Sequence, residues 1–62
     1  MNYKQRIVIE RNMLIIKYNK LLKFLKSDQY LDINLLEQKR LLRQELIMKL
    51  YIDVLEERIN NY

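Results

Sequence analysis

Lys17, Lys20, Lys23 and Lys26 recur every three residues, and Tyr3 stands one helical turn from Arg6, in a chain with five tyrosines. Ammonium and guanidinium groups neutralise phosphate and aromatic faces stack on bases, so these residue types suit an anion or nucleotide site. The same lysines have a plainer role, because cations toward a helix C-terminus complement its dipole and keep an apolar helix in solution. Tyr3, Tyr18 and Tyr51 likewise lie close to apolar positions, where a ring serves packing and its hydroxyl needs a partner. Tyr3, Arg6 and Lys17 from the first half of the chain, with Tyr51 and Arg58 from the second, form the candidate ligand-binding set.

Turnover finds no support in the residue types. The chain has no Cys and no His, and Ser27 is its sole aliphatic hydroxyl, so no nucleophile and base can be paired. Glu56 and Glu57 are adjacent and diverge by about 100° on a helix, too far for paired acid-base work. The remaining acids are scattered without the spacing of a calcium loop. We therefore expect a binding protein with no catalytic residues, no cofactor and no metal site.

Charge is unevenly placed. The net charge is +4, and the first half carries most of the Lys and Arg against only Glu10 and Asp28. Such a half can attract nucleic acid, an anionic membrane or a phosphate-bearing ligand, or it can be a solvated helix face. The lysine series spirals around its helix instead of lining one face, and no nucleic-acid motif accompanies it, which argues against DNA or RNA. The longest apolar run, Met13-Leu14-Ile15-Ile16, falls far short of the roughly 20 residues that cross a bilayer. No signal-peptide pattern opens the chain, and the lack of Cys fits a reducing compartment. The expectation is a soluble cytoplasmic protein, in the host cell's cytoplasm if the source is a virus.

These residues must be positioned by helices. There is no Gly and no Pro, and Ala and Thr are also missing, so the apolar residues are large and little interrupts the periodicity. Apolar positions three and four apart predict one helix over about 2–26 and another over about 34–60, joined by a turn at about 27–33 where Ser27, Asp28, Gln29 and Asp32 compete with helical hydrogen bonding. Asn34 followed by Glu37 reads as a capping box, with Asp32 as the alternative cap. Glu45 and Lys49 have the spacing of a helical ion pair, as do Arg6 and Glu10.

Each helix carries two apolar stripes. On the first, Tyr3, Ile7, Leu14, Tyr18, Leu21 and Leu25 form one, widened by Val8, Ile15 and Leu22; Ile9, Met13, Ile16 and Phe24 form another across the helix. On the second, Leu35, Leu42, Leu46, Leu50 and Val54 form one face, and Leu41, Met48, Ile52, Leu55, Ile59 and Tyr62 form the other. A single domain of 62 residues has a small core and no disulfide or metal to reinforce it. The expected fold is all-α, an antiparallel helical hairpin that assembles with copies of itself into a helix bundle. Ile7, Ile9, Met13, Leu14, Ile16, Leu21, Met48, Ile52, Leu55 and Ile59 are the expected interface positions, in a dimer, tetramer or hexamer.

The order of these residues resembles a group of small bacteriophage and prophage proteins related to those of crAss-like phages. The group's pattern of Tyr-x-x-Arg, then Glu, Leu, Lys, Leu and Phe, is matched by Tyr3, Arg6, Glu10, Leu14, Lys17, Leu21 and Phe24. Its second half is similar to Leu41-Leu42, Gln44, Met48, Tyr51, Leu55 and Arg58-Ile59. The apolar surface around Ile7 to Ile9 and Leu14 to Ile16 exceeds that pattern. The resemblance implies a viral accessory protein without a settled activity; small size, helicity, basic and aromatic residues and the exposed stripes add two functions as expectations. One is counter-defence by sequestering a cyclic-nucleotide immune signal at subunit interfaces. The other is an interaction module that inhibits a host defence protein, for example a CRISPR effector, through an exposed apolar helix face.

Overall fold

A computed structural model describes residues 1–61. Three helices follow one another: α1 (Tyr3–Leu25), the short α2 (Asp28–Asp32) and α3 (Leu35–Asn60). The long helices lie antiparallel in a slender hairpin of 44 × 15 × 13 Å. Both expected helices are present with ends within a residue or so of those read from periodicity. Tyr62 lies outside the described residues. No helix among the described residues is long and apolar enough to cross a membrane.

Capping explains where the helices begin. Asn2 accepts a hydrogen bond from the Gln5 amide at 2.8 Å while the Gln5 side chain accepts from the Asn2 amide at 3.0 Å, a complete capping box. Asn34, not Asp32, caps α3, accepting from the Glu37 amide at 2.9 Å. Only half of the expected box forms there, because the Glu37 carboxylate turns instead to Arg40 at 3.4 Å.

The hairpin uses one stripe of each helix. Ile7 and Leu55 are buried, and Leu14, Tyr18, Leu21, Leu25, Leu41, Met48, Ile52 and Ile59 are half-buried beside them. Positions 7, 11, 14, 18, 21 and 25 alternate spacings of four and three, as do 41, 45, 48, 52, 55 and 59. That alternation holds a row over one side of a helix, whereas the repeated fours of Leu42, Leu46, Leu50 and Val54 drift around it by about 40° at each step. The straighter rows therefore pack together. The other α3 stripe stays exposed, as do Ile9, Met13 and Ile16 of α1. Of the positions assigned to an interface between copies, Ile7, Leu14, Leu21, Met48, Ile52, Leu55 and Ile59 thus occupy the packed side of the single chain. Tyr3 departs from its stripe and is 54% exposed.

Two polar pairs interrupt the apolar seam. The Tyr18 hydroxyl donates to a Glu45 carboxylate oxygen at 2.6 Å, and Arg11 reaches Glu56 at 3.4 Å. Glu45 thereby faces across the hairpin, and the Glu45–Lys49 ion pair expected along the helix is not among those formed by the described residues. No buried side-chain nitrogen or oxygen among the described residues lacks a partner.

The connection is more ordered than the turn expected at 27–33. α2 occupies its middle, and the Gln38 side-chain amide donates to the carbonyls of Tyr30 at 3.0 Å and Ile33 at 3.1 Å. Phe24, expected on the outer stripe of α1, meets Tyr30 edge to face with ring centroids 6.3 Å apart. One glutamine thus ties the corner to the first turns of α3. Leu55→Ala should cost about 2–5 kcal/mol, comparable with the ~3–5 kcal/mol a core of this size supplies, whereas Lys49→Ala on the exposed surface should stay within about 0.5 kcal/mol. Urea denaturation of the two variants checks the contrast, and equal effects would contradict this placement of the core.

Candidate functional site

The candidate residues converge on one flank of the hairpin. On α1, Tyr3, Glu10 and Lys17 are seven residues apart, and on α3 the same interval separates Gln44, Tyr51 and Arg58. A seven-residue step is nearly two helical turns, so each trio forms a row along one side of its helix. Antiparallel packing sets the rows against each other. Arg58 Nη2 donates to the Tyr3 hydroxyl at 2.7 Å, its guanidinium carbon lying 5.7 Å from the ring centroid. One rung along, the Tyr51 hydroxyl donates to the Glu10 carboxylate.

Lys17 and Tyr51 then share a shallow concavity of about 250 Å³ with Glu10, Met13 and Leu14. Gln44 holds the next heptad position on α3, where its amide approaches the Met48 sulfur at 3.9 Å. Arg6 lies on the turn between Tyr3 and Glu10, exposed to solvent. The Arg6–Glu10 ion pair expected from spacing is not among those formed by the described residues, because Glu10 is engaged by Tyr51. The structure therefore joins Tyr3 to Arg58 directly, brings Lys17 beside Tyr51, and leaves Arg6 at the rim.

Spacing alone had not singled out Glu10, Met13 and Leu14 as lining residues. A signal was present in the heptad steps from Tyr3 to Glu10 and from Glu10 to Lys17, but it needed the partner row to have meaning. Two other concavities lie apart from this flank. One, of about 530 Å³, is bounded by Met1, Lys4, Gln5, Val8 and Ile9 and is mainly apolar. The other, of about 250 Å³, is lined by Lys20, Lys23, Phe24, Ser27 and Gln29, so the lysine series divides between two sites as its spiral requires.

The flank combines cations with aromatic rings. Arg6, Lys17 and Arg58 bring three cations to a surface holding the single carboxylate Glu10, while Tyr3 and Tyr51 present aromatic surface alongside them. Cation and ring together can hold a phosphate and a flat base. Ser27, by contrast, donates its hydroxyl to the Phe24 carbonyl at 2.6 Å and caps the corner.

Inside the seam, the acidity of Tyr18 is perturbed. Its hydrogen bond to Glu45, partial burial and the charges of Glu45 and Asp53 hold the phenol above its usual value. A raised pKa favours the protonated phenol in the folded chain, so this contribution is complete below the unfolded value near pH 10 and is lost as pH rises through the folded value. Tyr18→Phe should lower the melting temperature at neutral pH and flatten its decline above about pH 10. Thermal melts across that range check it, and an unchanged alkaline slope would contradict the role given to the Tyr18–Glu45 pair.

Comparison of the sequence with known proteins places the chain in a lineage. A family model described as Sequestin matches residues 1–61. An uncharacterized 7.5 kDa protein from the denB-rIIB intergenic region of Enterobacteria phage T4 is 40% identical over 60 residues, covering 97% of this chain and 94% of the relative. No solved structure matches the chain. A phage relative spanning nearly the whole chain supports the small phage accessory protein that the residue pattern implied.

Proposed function

The chain belongs to the Sequestin family, and from that premise we propose that it is a non-enzymatic phage counter-defence protein that sequesters a cyclic-nucleotide immune signal at seams between its own copies. The family's name points to sequestration. The observation that carries the ligand class is the flank where Arg58 packs on Tyr3 and Lys17 shares a concavity with Tyr51. In this reading Tyr3 and Tyr51 stack on bases, while Arg6, Lys17 and Arg58 hold phosphates. Host-cell cytoplasm, where such a signal circulates, is the corresponding location.

Size argues for more than one copy. Ligand pockets commonly enclose about 300–1,000 Å³ and bury most of their ligand. The concavity beside Tyr51 is smaller, at about 250 Å³, and open. A second hairpin laid beside it would supply the missing wall. Kinship with the crAss-like phage group is a finer reading that rests on the residue pattern alone.

A second reading is favoured by the exposure of Ile9, Met13 and Ile16, at 44%, 58% and 56%. Apolar anchors at such spacing suit a helix that docks on a host defence protein, such as a CRISPR effector. Ile16→Glu separates the uses of that stripe: lost inhibition of the target with unchanged self-assembly would favour docking.

Calorimetry against a panel of cyclic di- and trinucleotides tests the principal reading. The wild type should bind at least one, and Arg58→Ala should weaken it by roughly 10- to 100-fold, the worth of a charge-assisted contact. Tyr3→Phe should retain most affinity, because the ring remains. Absence of heat with every member of the panel would end the proposal.

A further inference from the structure

We propose that the outer face of α3 pairs antiparallel with the same face of a second copy, across a two-fold axis at Leu46. Leu35, Leu42, Leu46 and Leu50 are 63%, 51%, 53% and 54% exposed, on the side of α3 turned away from the buried Leu55. Lys39 and Asp53 stand in the same row and are also exposed. Neither belongs to an ion pair among the described residues.

The row reads 35, 39, 42, 46, 50, 53 and 57, with intervals of four, three, four, four, three and four. Those intervals are the same in either direction about Leu46. Antiparallel pairing on that centre therefore sets every member against another member of the row: Leu46 on its own copy, Leu42 on Leu50, Lys39 on Asp53 and, at the two ends, Leu35 on Glu57. A closed two-fold contact has this property, in which residue i meets j and j meets i. Parallel pairing would instead place Lys39 against Lys39 and Asp53 against Asp53, which costs energy. Charge and spacing thus select the same partner and the same direction.

The need for a partner is independent of that match. A chain in which Ile7 and Leu55 alone among the described residues are buried has little core of its own. Pairing α3 with α3 would cover its leucine row and join four long helices through three seams, one within each hairpin and one between them. Ile47 and Val54, one turn on either side of Tyr51, lie around α3 between this face and the candidate flank. The interface deepens the reading of a site between copies by naming where they meet.

Site-directed cross-linking decides it, because the chain has no native cysteine. With a short bis-maleimide, Leu46→Cys should cross-link efficiently into a dimer. Leu35→Cys should not, because antiparallel pairing separates the two Leu35 positions by about 33 Å along the helices. Cross-linking at both sites, at neither, or only at Leu35 would overturn the proposal. Charge exchange gives a second test that leaves the leucines intact. Lys39→Asp and Asp53→Lys should each weaken association by about tenfold, and the double exchange should restore it; failure to restore it would contradict the pairing. A dimer with this cross-linking pattern but no nucleotide affinity would remove the sequestration reading alone, whereas nucleotide binding by a persistent monomer would remove both the interface and the placing of the site between copies and leave only the nucleotide as ligand.

Discussion

Two helices packed against each other can cover only one side of each, and in this chain both long helices are apolar on both sides. That limit on area governs much of the structure. The rows that alternate three- and four-residue steps remain parallel to the helix axes and interlock, burying Ile7 and Leu55. The remainder, Ile9, Met13 and Ile16 on α1 and the leucine row on α3, is left facing solvent by the same choice. Exposed apolar surface on this scale marks an interaction surface more often than a free one.

Polar residues within the seam determine where the helices stop sliding past one another. Tyr18 meets Glu45 and Arg11 meets Glu56 in the observed register. A shift of one helical turn, about 5.4 Å, would part both pairs and leave partly buried groups without partners, a cost that apolar contacts alone would not impose. The flank inherits this register. Arg58 can lie on Tyr3, and Tyr51 can reach Glu10, only while the seam is held in place. Core packing and the candidate ligand surface are thus two sides of one alignment.

Periodicity made much of this legible. Helix existence, the antiparallel return and the cap at Asn34 follow from large apolar residues at helical spacing and from short polar side chains at the break. The choice between the two α3 stripes did not, because both are equally greasy and only comparison of their drift with the α1 row separates them. The corner also escaped, since α2 and its tie through Gln38 depend on a glutamine eight residues beyond Tyr30, where spacing carries no turn signal. At the site, Tyr3, Arg6, Lys17, Tyr51 and Arg58 were recognisable as chemistry. Their meeting on one flank required knowing which rows pack. Glu10 is not legible as a bridge from spacing, because Arg6, one helical turn before it, offers a simpler partner.

We infer that function resides at seams between copies, and native mass spectrometry of the full chain with a bound cyclic nucleotide is the decisive measurement. The account predicts an assembly of at least two chains carrying fewer ligands than chains. A single chain holding one ligand would contradict it.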